Sequence, residues 1–152
     1  MSRTEIVLLY ESTEERAAFE EARDILSQMG ISFREETLPS QPMLSALKNV
    51  VDAIGNSACI WAAGRSAYLL PVLAASLTNQ QPLVVLPCPK DDISLFYLES
   101  IFDLVRGYPI AFTRPHDAQA AALLAVHSLA GRHPSYADLL HAYLHKRHLQ
   151  PV

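Results

Sequence analysis

The fold is decided by ACIWAAGRSAYLLPVLAASL, residues 58–77, together with LVVLP, residues 83–87. The first apolar run breaks at Gly64-Arg65-Ser66 and resumes as a segment long enough for a helix. A second apolar run, bounded by Pro82 and Pro87, follows. This order predicts a strand, a loop, a helix and a strand. Both strands are apolar throughout, as parallel strands covered on both faces are.

The remaining segments alternate between short apolar runs and stretches with helical spacing. Further strands are predicted at 6–10, 31–37 and 108–113, and further helices at 18–29, 43–54, 93–105, 118–130 and 135–148. The 118–130 segment is so apolar that we expect burial nearly all round. The β-α order predicts one domain, residues 1–152, folded as a three-layer, doubly wound α/β sandwich of the flavodoxin or Rossmann type. It has about five parallel strands and an extra C-terminal helix.

Composition excludes several classes of function. The 152 residues are 50% hydrophobic and 18% charged, with a formal net charge of −4 and no basic stripe, so we expect no nucleic-acid partner. There is no uninterrupted run of about 18 apolar residues and no signal-peptide pattern, so we expect a cytoplasmic protein without a membrane span. Cys59 and Cys88 match neither a metal nor a disulfide pattern and are expected to be ordinary buried side chains.

The C-terminal helix carries His141, His145 and His148 at spacings of four and three residues. Such a row is compatible with metal binding, but no carboxylate stands at a matching position to complete a site. We therefore predict a solvated helix face, and we expect neither a metal nor a cofactor.

A ligand is expected at Gly64-Arg65-Ser66. In open α/β sheets, ligands bind at the carboxyl ends of the strands, against helix amino termini. This loop follows a strand, precedes a helix and offers backbone amides, a hydroxyl group and a fixed positive charge. These groups favour a small anionic or nucleotide-like ligand.

Several strings of the sequence are similar to those of a known family. They are AGRS at 63–66, LVVLPCP at 83–89, GYPIA at 107–111 and AAALLAV at 120–126. In this order they resemble the aminoimidazole ribonucleotide carboxylase / carboxyaminoimidazole ribonucleotide mutase family of purine biosynthesis, over nearly the whole chain. AGRS is similar to the family's animal-type, carbon dioxide-using branch. The resemblance implies a lyase or isomerase activity in the parent family.

The family's phosphate- and ribose-binding loop, G-S-x-S-D, corresponds to ESTEE at 11–15. By this resemblance the substrate-binding residues are Ser12, Glu15, Gly64, Arg65 and Ser66. However, Glu11 stands where a glycine lets the backbone approach a phosphate, and Glu14 adds a second charge that repels it.

The family's proton-transfer histidine, in the string S-A-H, corresponds to Gln41, which forms hydrogen bonds but does not titrate. A histidine of the bacterial-type branch corresponds to Tyr68, and an asparagine before A-A-L-L-A corresponds to Ala120. We therefore assign no catalytic residue. His116, after the last predicted strand, is either a substitute that enters the pocket or an exposed loop histidine near a helix start.

Two hypotheses follow. In the first, the protein has lost the parent reaction and is a binding or scaffold module for a modified nucleotide or a partner protein. In the second, it is an enzyme acting on a related phosphorylated or carboxylated substrate through Arg65, Ser66 and Tyr68, with Ser12, Glu15 and His116. Apart from His116, no group that titrates near neutral pH remains in the predicted pocket loops, and this favours the first hypothesis. The resemblance also implies a homo-octamer, which the apolar 118–130 helix and the 135–148 helix would suit.

Overall fold

The structure is a computed structural model that describes residues 6–10, 13, 15–38, 44–63, 83–89, 99, 102–103 and 106–149. The helix predicted after residue 66 lies outside these residues, and so does most of the helix predicted at 93–105. The other predicted strands and helices fall within them.

Five strands form the sheet: β1 Ile6–Tyr10, β2 Phe33–Thr37, β3 Ala58–Ala63, β4 Leu83–Pro87 and β5 Ile110–Phe112. They are all parallel, in the order β2-β1-β3-β4-β5. Every residue of β1, β3 and β4 is buried, as expected for strands covered on both faces. The more polar β2 lies at one edge of the sheet. β5, at the other edge, is shorter than predicted, because Pro109 has no N–H to add to the ladder.

The helices with described bounds are α1 Glu20–Gln28, α2 Leu44–Ile54, α3 Ala118–Ala130 and α4 Pro134–Leu149. A 3-10 helix, Glu15–Phe19, precedes α1. Alternate residues of β1 point to opposite faces of the sheet. Leu8 packs in one cluster with α1 and α3, and Leu9 packs in a second cluster with α2. The chain is therefore a doubly wound α/β sandwich of the flavodoxin type, as predicted. Within its described part, none of the helices has the length and apolarity needed to cross a membrane.

α3 is buried on one side only. Ala121 and Ala125 are completely buried, whereas Leu124 is 37% exposed and His127 and Ser128 are also exposed. The prediction of burial nearly all round is therefore wrong for the single chain. The sheet, α1 and α4 contact α3 but leave its outer face uncovered.

Candidate functional site

The sheet register brings the carboxyl ends of β1 and β3 side by side. Tyr10, the last residue of β1, lies opposite Ala62 of β3 and Thr37 of β2. Because β2 and β3 lie on opposite sides of β1, the chain changes direction here, and open α/β sheets bind ligands at such a switch point. Tyr10 and Ala63, the described residues that precede the ESTEE and GRS segments in the sequence, therefore lie at neighbouring strand ends.

Most of the predicted site residues lie outside the described residues, and their roles stay predictions. These are Ser12, Gln41, Gly64, Arg65, Ser66 and Tyr68. The residue before the GRS loop is described: Ala63 is completely buried, and its carbonyl accepts the N–H of Cys88 at 2.8 Å. The start of the loop is thus fixed by the ladder between β3 and the chain leaving β4.

Glu15 lies close to the carboxyl end of β1. It is half-buried and begins the 3-10 helix, which contacts β1 and β3. The rings of Tyr10 and Phe19, 6.3 Å apart between centroids, hold this helix against the end of the strand. Glu15 is therefore near the switch point, and its role in ligand binding stays a prediction.

His116 lies at the same edge of the sheet. Its backbone N–H donates to the carbonyl of Pro87 at 2.9 Å, so the chain leaving β5 passes over the end of β4. The N–H of Asp117 donates to the carbonyl of Arg114 at 3.2 Å and closes a turn, with Pro115 in its second position and His116 in its third. His116 has a φ of 60°. This is the pattern of a type II turn, in which the third residue is usually glycine.

The His116 side chain is exposed, and its Nε2 lies 3.0 Å from the carbonyl oxygen of Pro89. A carbonyl oxygen only accepts hydrogen bonds, so Nε2 carries the proton, and Nδ1 is left for another partner. The carboxylate of the next residue, Asp117, accepts the N–H of Ala120 at 3.0 Å and caps α3. His116 is thus exposed and next to a helix start, and whether it enters a ligand pocket stays a prediction.

The two cysteines are buried and free. Burial raises the pKa of the Cys59 thiol from 9.0 to about 12, and the guanidinium of Arg34 opposes this shift. The thiol of Cys88 donates to the carbonyl of Leu86 at 3.4 Å. Since the thiolate is the reactive form, Cys59 is not a nucleophile at neutral pH. The prediction of ordinary buried side chains is confirmed.

The histidine row of α4 is exposed at all three positions, as a solvated face requires. The rings of His141 and His145 are nearly parallel, with centroids 6.4 Å apart. In the described part of the chain, no three His, Cys, Asp or Glu side chains are grouped so that they could hold a metal ion.

Two grooves lie away from the carboxyl edge. One, of about 320 Å³, lies between α3 and the amino ends of β4 and β5, where Leu83 and Pro109 form part of its wall. The other, of about 530 Å³, lies between α3 and α4. His127 and Ser128 line both, so the grooves adjoin on the uncovered face of α3.

Comparison with known proteins identifies the family. The AIR carboxylase family model matches residues 5–150. Crystal structures of two Treponema denticola proteins have the same fold. A variant of PurE2 is 18% identical to this chain, with a TM-score of 0.79; the match covers 96% of this chain and 92% of the PurE2 chain. PurE is 17% identical, with a TM-score of 0.73; the match covers 95% of this chain and 92% of the PurE chain. No curated protein sequence matches significantly. The chain therefore belongs to the AIR carboxylase family of purine biosynthesis.

Proposed function

We propose that this family member is a binding or scaffold module that retains a pocket for a small anion or nucleotide and does not catalyse the parent reaction. The proposal rests mainly on Gln41, which by the sequence resemblance stands where the family has its proton-transfer histidine. Both parent reactions deliver a proton to the imidazole carbon or remove one from it. A positioned acid–base group typically contributes about a hundred- to ten-thousand-fold to the rate of such a step.

The substituted loop after β1 supports the same conclusion. Glu11 adds bulk and charge where a phosphate would approach the backbone, and Glu14 adds a second negative charge. Weaker anchorage of a ribose phosphate reduces positioning, and Gln41 removes proton transfer. These are separate contributions to the barrier, so their losses compound.

We assign the residual pocket to Gly64-Arg65-Ser66, which follow β3 in the sequence. Backbone amides, the helix dipole and the guanidinium attract an anion, while Glu11 and Glu14 oppose it. We expect phosphate to bind with a dissociation constant of about 1 mM, or about −4 kcal/mol. Arg65→Ala should abolish this binding, and unchanged binding in that variant would place the anion elsewhere.

The decisive experiment compares the wild type with a triple variant, Glu11→Gly, Glu15→Asp and Gln41→His, in assays of carboxylation and of isomer interconversion. Negligible wild-type activity and measurable activity in the variant are the expected outcome. Robust wild-type turnover would refute the non-catalytic assignment.

An altered enzyme is the second candidate function, favoured by the position of His116 at the carboxyl edge. It would act on a related phosphorylated or carboxylated substrate through Arg65, Ser66 and Tyr68. Turnover of such a substrate, lost on replacement of Arg65 or His116, would select this function over the first.

Assembly as a homo-octamer is part of the proposal. Its support is the apolar surface that the single chain leaves exposed: Leu124 on α3, and Leu139 and Leu149 on α4, are 37%, 36% and 70% exposed. Closed symmetric assemblies commonly bury such surfaces. Light scattering should report a particle of eight chains, and a stable monomer would refute it. Family membership in purine biosynthesis also supports a cytoplasmic location.

A further inference from the structure

We infer that His141 and His145 of α4 form a site for one divalent transition-metal ion, Zn²⁺ or Cu²⁺, which is held by the two imidazole rings and completed by water. Both side chains belong to the described part of the chain. The inference does not rest on the proposed function, because it uses none of the residues assigned to the anion pocket.

The first support is the placement of the two rings. Their spacing of four residues puts them on one side of the helix, one turn apart. The rings are nearly parallel, with an angle of 16° between their planes and 6.4 Å between their centroids. Two histidines with the same spacing bind zinc in the H-E-x-x-H motif, so the backbone of an ordinary helix is sufficient for chelation.

The second support is that little movement separates this arrangement from a chelating one. With metal–nitrogen bonds of about 2.0–2.1 Å, two rings that share one tetrahedral ion have centroids roughly 5 Å apart. The pair must therefore close by about 1 Å and turn until both ring planes contain the ion. Both side chains are exposed, and exposed side chains change rotamer within nanoseconds, so this movement is readily available.

The third support is the chemistry of the ligand set. Imidazole nitrogens suit Zn²⁺ and Cu²⁺, whereas Mg²⁺ and Ca²⁺ prefer oxygen ligands. The lack of a carboxylate at a matching position argues against a closed site, but an open site needs none, because water fills the remaining positions.

The charges along α4 have opposing effects on a bound cation. The negative end of the helix dipole attracts it, since His145 lies about one turn before Leu149, the last residue of the helix. Asp138, one turn before His141, also attracts it, whereas Lys146 and Arg147 repel it. Attraction and repulsion thus partly cancel, and the two imidazole nitrogens provide the selectivity for the metal.

Metal binding should also stabilise α4. None of its 16 residues is fully buried in the single chain, and the helix packs against the core through half-buried side chains such as Tyr136, Leu140 and Tyr143. An ion that joins two turns binds the helical form in preference to the unfolded chain and stabilises it by mass action. The unfolding temperature should therefore rise with the concentration of Zn²⁺.

The matched control exchanges two neighbouring residues. The double variant His145→Lys, Lys146→His keeps the composition and the number of histidines, but it changes the spacing from four residues to five and places the rings on different sides of the helix. His141→Ala removes one ligand of the pair. His133→Ala removes an exposed histidine outside the pair and leaves the spacing unchanged.

Binding is measured on the full chain at about pH 7.5, where a free imidazole is mostly unprotonated. The probes are Zn²⁺ in calorimetric titration and Cu²⁺ in electron paramagnetic resonance. We expect one Zn²⁺ per chain in the wild type and in His133→Ala, without competition from Mg²⁺. His141→Ala and the double variant should bind at least about tenfold more weakly, since the loss of outer-shell partners alone costs about that much. The Cu²⁺ spectrum of the wild type should show splitting by two nitrogens.

Three results would overturn the inference: Zn²⁺ binding in the double variant or in His141→Ala that equals that of the wild type, an equal loss in His133→Ala, or a Cu²⁺ spectrum without nitrogen splitting. A wild type that binds no ion gives the first of these results, and so does an assembly in which a neighbouring chain covers the pair. Phosphate binding and its loss in Arg65→Ala test the anion pocket separately, so the failure of one site leaves the other unaffected.

Discussion

Cys59 should make the protein less stable in alkaline solution. The residue lies in β3, between Val7 of β1 and Leu83 of β4, and is 2% exposed. Burial raises its pKa from 9.0 to about 12 in the folded protein. In the unfolded chain the thiol is solvated and loses its proton near the ordinary value. Between these two pKa values, the folded state therefore binds more protons than the unfolded state.

The sign of the effect follows from proton linkage. The contribution of the Cys59 thiol to the free energy of unfolding is fully present below about pH 9 and is lost as the pH rises toward 12. The free energy of unfolding should fall by about 1.4 kcal/mol per pH unit inside this window, or about 4 kcal/mol across it. The test is urea unfolding at about pH 8, 9.5 and 10.5, in a Cys88→Ala background, with Cys59→Ala as the matched control. Tyrosine and lysine titrations contribute equally to both proteins and cancel in the difference.

Two results would refute this reasoning. One is an identical pH dependence with and without Cys59. The other is modification of Cys59 by a thiol reagent in the folded protein at about pH 8, at the rate seen in the unfolded chain. Either result would show that the thiol is accessible and would reopen it as a candidate nucleophile.

Three further substitutions, each compared with a control substitution, test the fold. Asp117→Ala should lower the free energy of unfolding by about 1 kcal/mol, because it removes the cap of α3, whereas Asp117→Ser should retain most of that stability. Equal losses for the two variants in chemical denaturation would contradict the cap. Gly107→Ala should lower the free energy of unfolding by about 1 kcal/mol, because Gly107 has a φ of 86°, which an alanine side chain disfavours. Gly131 has a φ of −65°, so Gly131→Ala should not lower stability, and equal changes in melting temperature for the two variants would contradict this difference. Leu8→Ala should lower the free energy of unfolding by about 2–5 kcal/mol, since the side chain is completely buried. Leu124→Ala should lower it by less than about 1 kcal/mol at low protein concentration, since Leu124 is 37% exposed. Similar losses for the two leucines would show that Leu124 is also buried in solution.

The architecture could be predicted from the sequence because its signals are local. Continuous apolar runs mark β1, β3 and β4 as strands covered on both faces. Gly30 and Gly55, which closely follow α1 and α2, have positive φ values, as left-handed helix ends do. The exposed face of α3 could not be predicted in the same way. Alanine and leucine fill it as they fill the buried face, so composition alone does not distinguish the two.

The site could be predicted only in part, because its geometry depends on contacts between distant segments. Pro115 indicates a turn, but no local signal shows that the next residue, His116, has a left-handed backbone conformation. The bond from Nε2 to Pro89 joins residues 27 positions apart. The sequence placed His116 after the last strand, and the structure adds the conformation and the hydrogen bond that determine which nitrogen is free.

Family membership and activity depend on different residues of this chain. LVVLP forms β4, which is buried throughout, and Ala121, Ala125 and Val126 of the AAALLAV string are completely buried. Packing alone is enough to explain why these strings are present, since changing buried volume costs stability whatever the protein does. Glu11 and Gln41 stand in segments that the sequence predicts to be loops, where packing constrains residue identity less and function constrains it more. Buried strings such as LVVLP thus account for the sandwich, and we expect the predicted loops to decide the chemistry. An activity gained by restoring the loop residues, with no change in the core, is therefore the result that separates a retained fold from a retained function.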